Sequence, residues 1–381
     1  MKSARPAGSS SAETIPAALR TRIRRALLGW YDRNRRDLPW RRRRGDAYAQ
    51  WVAEIMLQQT RVETVIPFYE RFLQWFPTVA SLATADHEDV LKHWQGLGYY
   101  RRALHLHRAT QLLHQQGRDV PSEVDELKEL PGVGDYVAGA IASIAYDRRC
   151  PAVDGNVCRV LARLFVVTDD VLTPKGRARI TELAGELVPR NRAGDFNQAC
   201  MDLGSLVCTP KGPKCDECPL LGHCRAASGG MADHLPIRGA ARRRGVPVMN
   251  VLVGVFTRGR RVLLCQRPTG GLWSGLWELP NRPLSGPEVT SRDLRELLSE
   301  RGIRVALPAA DLGVLDHRLT HRQVRFHIRA ARVVSGSANV LDADRRWVDA
   351  DEFADLPLST AHRRVADRAN LVPSLRMKSA T

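Results

Sequence analysis

Hydrophobic residues recur at helical spacing through the first two hundred residues, and no convincing strand pattern occurs there. Ile15, Leu19, Ile23 and Leu27 begin this pattern, which predicts a first helix that ends near Trp30. The same spacing predicts further helices at residues 48–60, 62–76, 86–94, 157–167 and 196–207. This half of the chain is therefore predicted to be all-α.

Residue types that cap helices mark several of the expected helix starts. Asp86 is a candidate N-cap, and Thr173 precedes a proline that suits the first position of a helix. Ser122 and Asp125 have the spacing of a capping box. Local sequence also favours Asp154 as the N-cap of the helix that follows it.

In the second half of the chain, hydrophobic and polar residues alternate, as they do in β-strands. Residues 248–256 and 261–267 predict a strand hairpin, residues 293–301 a helix, and residues 323–334 another strand. The stretch 225–245 is rich in Gly, Ala and Arg, which is typical of a linker. The fold class is therefore predicted to be multidomain, an all-α domain followed by an α+β domain. The predicted boundaries are a disordered tail at 1–14, the helical domain at 15–227, a linker at 228–246, the α+β domain at 247–366 and a disordered tail at 367–381.

Composition favours a polyanionic partner. The 381 residues carry a net charge of +17 and a pI near 10.1, which favours nucleic acid over a membrane surface; a merely basic soluble protein is the alternative. No apolar run reaches the roughly 18 residues that a membrane span needs, and residues 1–13 lack the apolar core of a signal peptide. We therefore expect an intracellular protein, cytoplasmic and nucleoid-associated, that acts as a monomer without membrane contact.

A Pro-Gly-Val-Gly turn between apolar helical segments predicts a helical hairpin at residues 130–136. Gly132 and Gly134 leave backbone N–H groups uncovered at the start of the second helix, where the positive dipole end attracts an anion. Asp154 follows that second helix. A phosphate-binding turn one helix away from a lone carboxylate suggests chemistry on a nucleic-acid strand.

Three other stretches of the helical half have two interpretations each. On the predicted helix 48–60, Glu54 shares the face opposite the buried side with Leu57, where a glutamate is ordinarily just solvated. The arginine run 41–44 is a solvated loop or a phosphate contact. Tyr99 and its neighbouring tyrosine, beside a glycine-rich turn, are a wedge for insertion between bases or core residues.

Four cysteines crowd into the loop 208–224 with the spacing C-x6-C-x2-C-x5-C, and they are Cys208, Cys215, Cys218 and Cys224. Four thiolates on one tight loop suit a tetrahedral metal or an iron–sulfur cube, whereas a disulfide scaffold does not fit a chain of this length. Spacing alone leaves zinc as a competitor. The remaining cysteines are expected to be buried small hydrophobic residues, and they are Cys150, Cys158, Cys200 and Cys265.

These motifs, in this order, resemble the endonuclease III superfamily of base-excision glycosylases, whose cysteine loop holds a [4Fe–4S] cluster. Residues 54–60 (EIMLQQT), 96–100 (GLGYY) and 154–157 (DGNV) are similar to the adenine DNA glycosylase (MutY) family, which removes adenine mispaired with 8-oxoguanine. The resemblance covers residues 15–227 densely and 247–365 more weakly. It implies a helix-hairpin-helix glycosylase domain, a [4Fe–4S] cofactor, and double-stranded DNA with A:8-oxoG or A:G mispairs as the partner.

The resemblance also implies a role for each matched residue. Glu54 would protonate adenine N7, while Asp154 would stay ionised beside the cationic sugar, with Tyr136 and Asn156 around it. The residues implied for the adenine pocket are Arg36, Trp40, Leu57 and Gln198. Those implied for DNA contacts are Gln59, Thr60, Tyr99, Gly132 and Gly134, with Tyr99 as the wedge. Tyr136 stands where bifunctional relatives carry a lyase lysine, so a monofunctional enzyme is expected.

The second domain resembles the Nudix (MutT-like) fold at residues 262–268 and 275–280. A working Nudix hydrolase needs a glutamate-rich helix to bind magnesium. The motif that includes this helix, the Nudix box, is altered at three positions: one glycine is replaced by Asn281, and two glutamates are replaced by Pro287 and Ser299. We therefore expect that metal-dependent hydrolysis was lost. The resemblance implies instead that the domain recognises 8-oxoguanine through Leu319, Thr320 and His321, with Leu319 in place of the usual aromatic residue; a polar hairpin loop is the alternative.

Three other functions are alternatives to adenine excision. An endonuclease III-like glycosylase for oxidised pyrimidines is disfavoured by Tyr136 and by the Nudix-like domain. A Nudix nucleotide hydrolase with a DNA-binding appendage is disfavoured by the altered box. A non-catalytic DNA-binding or redox-sensing iron–sulfur protein would leave Glu54 and Asp154 without a role.

Overall fold

A computed structural model describes most of the chain, namely residues 14–239, 246–268, 270–300, 303–306, 308–319, 322–334, 344–349, 352–353 and 355–371. The chain divides into two compact units. The first comprises Met1–Ala80 and Arg108–Ala241, and the second comprises Ser81–His107 and Arg242–Thr381. Within the described residues, no helix combines the length and the apolar character required to cross a membrane.

Helices make up the regular structure of the chain before residue 248. They are α1 (Ala17–Asn34), α2 (Ala47–Leu57), α3 (Val62–Trp75), α4 (Val79–Ala83), α5 (His87–Trp94), α6 (Arg101–Gln115), α7 (Val124–Lys128), α8 (Asp135–Tyr146), α9 (Gly155–Phe165), α10 (Pro174–Leu187), α11 (Ala193–Leu206) and α12 (Arg225–Ser228). The first described strand begins at Val248, so the prediction of an all-α half is confirmed.

The core of the first unit lies where α1, α9, α10 and α11 meet. Its buried side chains come from apolar positions spaced three or four apart on each helix, as an amphipathic helix requires. They include Ile23, Leu27, Leu161, Leu183 and Phe196. This packing fixes α9 and α11 side by side, and both helices carry polar residues that reappear in the site.

Three of the four predicted helix caps are confirmed. Asp86 accepts a hydrogen bond from the backbone of Glu88, and Thr173 caps α10 through the backbone N–H of Gly176. Asp154 caps α9 in the same way. The capping box at Ser122 is wrong, because α7 starts only at Val124 and its N-cap residue makes no side-chain bond.

Part of the predicted linker packs against the helical unit. The backbone N–H of Val171 donates to the carbonyl of Ile237 over 3.1 Å, and the N–H of Gly239 donates to Asp170 Oδ2 over 2.8 Å. Arg163 Nε also donates to the carbonyl of Leu235 over 3.0 Å. The chain as far as Gly239 therefore packs against the first unit.

The second unit contains a mixed β-sheet. Its strands are β1 (Val248–Arg258), β2 (Arg261–Gln266), β3 (Trp277–Glu278), β4 (Asn281–Pro283), β5 (Ala310–Arg318), β6 (Gln323–Arg332) and β7 (Arg345–Asp349). Their order is β3-β2-β1-β6-β5, with β4 paired to β1 and β7 paired to β2. β1 and β6 are parallel, from Val248 opposite Gln323 to Thr257 opposite Arg332, and the other pairs are antiparallel.

Helices cover both faces of this sheet. Val251, Val253 and Val255 of β1 face a cluster that includes α14 (Thr360–Arg368), whereas Leu252 and Phe256 face the cluster that contains Leu297 of α13 (Ser291–Glu300). The alternation follows from the two-residue period of a strand. The predicted α+β class is confirmed.

Several elements of the second unit were not expected from the sequence. β5 is mostly exposed along its length, so its sequence lacks the alternation that predicts a strand. β7 is short, and α14 runs to Arg368, beyond the start of the tail predicted at residue 367. The predicted strands β1, β2 and β6 and the helix α13 are confirmed within a few residues of the expected ends.

Candidate active site

Glu54 lies inside the helical unit, with only 3% of its surface exposed. The interpretation that placed it on the outer face of an amphipathic helix is wrong. Every residue of α2 from Ala47 to Met56 is buried, so the helix has no solvent-facing side along that length. A carboxyl group is rarely buried in this way unless it is paired or has a function.

Two side chains donate hydrogen bonds to the Glu54 carboxyl group. The hydroxyl of Tyr136, from α8, lies 2.5 Å from Oε2, and Nε2 of Gln50, one turn earlier on α2, lies 2.6 Å from Oε1. Burial raises the pKa of Glu54 above its usual range, the two hydrogen bonds oppose that rise, and the charge of Asp154 adds to it. The arrangement favours a carboxyl group that holds its proton to unusually high pH.

Asp154 is fixed at the N-terminus of α9 by donors on both of its oxygens. Oδ1 accepts from the backbone N–H groups of Asn156 (2.9 Å) and Val157 (2.7 Å), and Oδ2 accepts from Asn156 Nδ2 (2.8 Å). Burial raises the pKa of Asp154, while these donors and the charge of Arg159 lower it. N–H donors stabilise the charged form of a carboxyl group, so they keep Asp154 anionic more readily than its burial alone would allow.

Tyr136 links the two carboxyl groups electrostatically. Burial raises its pKa well above the ordinary value, and the charges of Glu54 and Asp154 both raise it further. The structure therefore brings together Glu54, Tyr136, Asp154 and Asn156, four residues that the sequence distributes over a hundred positions.

Two buried arginines of α9 bind the cysteine loop, one of them also binds the site, and sequence reasoning missed both. Arg159 donates from Nη2 to Asn156 Oδ1 (2.8 Å) and from Nε to the carbonyl of Cys208 (2.7 Å). Arg163 Nη1 donates to the Sγ of Cys208 (3.3 Å) and to the carbonyl of Thr209 (2.7 Å). The available signal was a pair of arginines four apart in an otherwise apolar helix.

The four cysteines of the loop line a single apolar cavity, whose other walls include Val207, Leu221 and Ala227. None of them is in a disulfide. Within the described ranges of the chain, no three His, Cys, Asp or Glu residues are grouped as ligands of one metal ion. The thiols share one cavity without lying at the spacing of ligands to a single ion, and the guanidinium of Arg163 lies at one sulfur; by residue type they suit a group that takes thiolate ligands and carries negative charge.

A cavity of about 590 Å³ in the first unit adjoins Glu54 through Gln50. Three of the four residues implied for the adenine pocket, Arg36, Trp40 and Gln198, line this cavity. The fourth, Leu57, lies half-buried at the end of α2 and is not part of the cavity wall.

Asp202 organises the arginine side of this cavity, and it was missed by sequence reasoning. Its fully buried carboxylate accepts from Arg36 (2.6 Å) and Arg41 (2.7 Å), and Arg41 also donates to Gln198 Oε1 (2.9 Å). An aspartate among the apolar positions in the second half of α11 was the available signal.

The arginine run is paired with carboxylates rather than left free in a loop. Besides Arg41, Arg42 pairs with Asp37, and Arg44 lies 2.7 Å from Asp195. Arg43 lies 3.4 Å from Asp46. The run therefore forms part of the cavity wall.

The residues implied for DNA contacts are accessible. Gln59 is exposed, with a φ of 58°, directly after α2, and Thr60 follows it half-buried. Gly132 has a φ of 79° in the turn between α7 and α8, and Gly134 is the N-cap residue of α8. Nothing lies within 4 Å of a Cβ built on Gly134, so the space beside this residue is open.

The two tyrosines of the glycine-rich turn have different environments. Tyr99 is 40% exposed with a φ of 49°, and the guanidinium of Arg102 lies 5.2 Å from its ring centroid. Tyr100 is only 6% exposed. One of the pair is therefore available to a ligand and the other is a core residue.

The altered Nudix box lies partly on α13. The surviving glutamates of the altered box are engaged, since Arg282 lies 2.5 Å from Glu296 and 3.6 Å from Glu300. Leu319 is half-buried against the sheet cluster that includes α14. Thr320 and His321 lie outside the described residues.

Comparison with known proteins gives a match for the helical half of the chain and another for the sheet-containing half. The chain matches the model of the HhH-GPD superfamily base excision DNA repair proteins over residues 52–190 and that of the NUDIX domain over residues 251–368. The adenine DNA glycosylases of Rattus norvegicus and Homo sapiens are each 36% identical over 91% of this chain, which corresponds to 77% and 73% of those proteins. A solved thermostable thymine-DNA glycosylase superposes with a TM-score of 0.52 at 28% identity, over 56% of this chain and 98% of that one. Since the similarity to the rat and human proteins extends over both matched domains, the chain belongs to the adenine DNA glycosylase family and is a DNA glycosylase enzyme.

Proposed function

We propose that this enzyme acts in base-excision repair on double-stranded DNA, where it excises adenine mispaired with 8-oxoguanine or guanine by hydrolysing the N-glycosidic bond. The observation that carries the proposal is the buried Glu54, whose pKa is raised. Its carboxyl group accepts a hydrogen bond from Tyr136 and is electrostatically coupled to Asp154. A retained proton and a fixed negative charge in one place match the two requirements of this reaction.

The first requirement is protonation of the leaving purine. Negative charge builds on adenine as the glycosidic bond breaks, and a proton at N7 neutralises it. Glu54 is suited to this role because burial raises its pKa, so that the acid keeps its proton to higher pH than an exposed glutamate does. Gln50 and Tyr136 hold the carboxyl group in one orientation.

The second requirement is stabilisation of the oxocarbenium-like sugar. Asp154 would supply the negative charge at C1′ or trap the sugar transiently, since three N–H donors from Asn156 and Val157 favour its ionised form. Water completes the hydrolysis. Tyr136 replaces the lysine of bifunctional relatives and offers no amine for a Schiff base, so we propose a monofunctional reaction without strand cleavage.

Access to the bond requires that adenine leave the base stack, at a cost of a few kcal/mol. We propose that the flipped base enters the cavity beside Arg36, Trp40 and Gln198, and that the amides at Gly132 and Gly134 hold a phosphate. Tyr99 would occupy the gap in the stack. The loop that contains Leu319 would read the oxidised guanine.

We also propose a [4Fe–4S] cluster on the cysteine loop. Cys208, Cys215, Cys218 and Cys224 would hold it, because they line one cavity and remain free of disulfides. When bound, it would supply structural order to the loop and place nearby basic residues against phosphates. We further propose a monomer that works at the nucleoid in the cytoplasm.

A gel assay on a labelled duplex with adenine opposite 8-oxoguanine tests the proposal. We expect strand scission to develop mainly after alkali, because a monofunctional enzyme leaves an abasic site. Glu54→Gln and Asp154→Asn should each slow adenine release by about 10²-fold or more while duplex binding persists. Glu63→Gln, an exposed glutamate on α3, is the matched control and should retain wild-type rates. Release of an oxidised pyrimidine with adenine left in place would contradict the proposal.

A further inference from the structure

The segment that contains Tyr99 belongs to the same compact unit as the Nudix-like domain. Residues Ser81–His107 group with Arg242–Thr381, although the sequence places them between helices of the glycosylase half. Family models and motif order give no reason for this grouping. Within this unit, α5 makes specific contacts with the Nudix-like domain.

Glu88 makes the central contact. The indole Nε1 of Trp277, on β3, donates to Glu88 Oε1 over 2.9 Å. Trp277 is 2% exposed, so its N–H group has no access to bulk water as a substitute partner. Arg346 of β7 lies 4.8 Å from the Trp277 ring centroid and 3.9 Å from Glu88 Oε2, which places a cation beside the same carboxylate.

Contacts on both sides of Glu88 hold the rest of α5. Lys92 pairs with Asp355 over 3.1 Å. Gly275, with a φ of +75°, approaches so closely that a Cβ there would lie 2.7 Å from His87 Nε2 and 3.3 Å from Leu91 Cδ1. The helix therefore lies directly against the domain, and its own N-terminus is fixed by the Asp86 cap.

Further hydrogen bonds lead from α5 to the exposed tyrosine. Trp94, the last residue of α5, donates from Nε1 to the carbonyl of Gly98 over 3.1 Å, and Arg102 Nη2 donates to the same carbonyl over 3.2 Å. The Arg102 guanidinium lies 5.5 Å from the Trp94 ring and 5.2 Å from the Tyr99 ring. Tyr99 is thus held by a turn whose support begins at α5.

We propose that Glu88 is a positioning residue through which the Nudix-like domain sets the orientation of the Tyr99 wedge. The wedge and the sheet of the Nudix-like domain then act as one rigid reader of the lesion-bearing strand. This inference rests on the proposed function, in which Tyr99 enters the base stack. Its consequence is that removing the Glu88–Trp277 bond weakens wedge insertion without touching the groups that break the glycosidic bond.

The test uses full-length protein and a DNA duplex in which 8-oxoguanine lies opposite adenine. A 2-aminopurine is the neighbour of the 8-oxoguanine on the same strand. Insertion of Tyr99 unstacks the 2-aminopurine and raises its fluorescence, a signal that does not require base release. We expect Glu88→Ala and Trp277→Phe to lower the fluorescence rise. Both should also reduce the preference for A:8-oxoG over A:G in single-turnover rates by about threefold to tenfold, the range of one hydrogen bond.

Two further variants separate positioning from folding. Glu88→Gln keeps the acceptor oxygen for Trp277. This variant should retain both the wild-type fluorescence rise and the wild-type preference for A:8-oxoG over A:G. Asp89→Ala removes a carboxylate from the same turn of α5 and should leave both unchanged. Wild-type values in Trp277→Phe, or equal losses in Asp89→Ala, would overturn the inference, as would a wild-type protein that gives no fluorescence rise. A wild-type rise without adenine release would instead refute the proposed function and leave the positioning role intact.

Discussion

Tyr136 Oη lies 2.5 Å from Glu54 Oε2, and this hydrogen bond joins two helices that begin 88 positions apart, α2 at Ala47 and α8 at Asp135. The donor sits two residues after Gly134, so the turn proposed to offer amides to a phosphate also places the hydroxyl that orients the proposed acid. Under that proposal, phosphate binding and acid placement depend on the geometry of one hairpin.

Replacing Tyr136 with Phe should shift the alkaline limb of the pH profile of adenine release to higher pH. The Tyr136 hydrogen bond favours the ionised form of Glu54 and so lowers its pKa against the effect of burial. Without it the pKa rises further, and the protonated acid persists to higher pH. Single-turnover rates measured between about pH 5 and pH 9 should show the alkaline limb displaced to higher pH.

Tyr146→Phe is the control for that experiment. Tyr146 lies on the same helix and donates its hydroxyl to the carbonyl of Val120, away from Glu54. Its removal should leave the alkaline limb in place. An alkaline limb that moves downward in Tyr136→Phe would mean that the hydroxyl does not stabilise the Glu54 carboxylate.

Glu54→Gln should stabilise the protein at neutral pH although it abolishes activity. The pKa of Glu54 is raised by burial, so the native state binds this proton more tightly than the unfolded state does. The free energy of unfolding therefore falls as pH rises from the ordinary carboxyl range through the raised pKa. Glutamine mimics the protonated acid and does not titrate.

Thermal melts at about pH 4.5 and pH 7.5 measure that effect. Each 1 kcal/mol gained should raise the Tm of a domain of this size by about 2–4 °C, and the gain should be larger at the higher pH. Glu63→Gln, on an exposed position, should show no such difference. An equal gain at both pH values would show that the stabilisation does not come from the titration of Glu54.

Gly204→Ala should disturb the Asp154 site from a distance. A Cβ on Gly204 would lie 2.6 Å from Asn156 Cβ and 3.0 Å from Asn156 Cα, so Asn156 must move. Asn156 donates twice to Asp154, and overpacking of this kind costs about 1–3 kcal/mol. We expect a lower Tm together with slower adenine release.

Gly185→Ala supplies the matched comparison. It lies on α10 with nothing within 4 Å of the added Cβ, and alanine is the better helix former by about 1 kcal/mol. This variant should be slightly more stable and fully active. Normal activity in Gly204→Ala would mean that Asn156 can shift without moving the Asp154 carboxylate.

Cys215→Ser should remove the visible absorbance around 400 nm and lower the iron content of the purified protein, if the loop holds a [4Fe–4S] cluster. Cys150→Ser alters a cysteine outside the cavity and should leave both unchanged. Wild-type protein that contains about one zinc and no iron would contradict the cluster and favour a tetrahedral zinc site.

Much of the site was predictable because its parts depend on short-range rules. The Pro-Gly-Val-Gly turn, the cap at Asp154 and the cysteine spacing are local features, and each predicted element has its place in the structure. The errors came from burial. A helix read in isolation as amphipathic, α2, is enclosed on every side, because burial depends on neighbours that lie far away in sequence.

The sequence by itself determined most of the helices, the strands β1, β2 and β6, the hairpin turn and the set of residues able to do the chemistry, since periodicity, caps and residue type act over a few positions. Only the tertiary structure decided that Glu54 is buried against Tyr136, that Arg159 joins Asn156 to the cysteine loop, and that α5 packs on the Nudix-like domain. The pKa of a carboxyl group and the pairing of a buried arginine depend on desolvation and on charges brought close in space, and sequence separation carries no information about either.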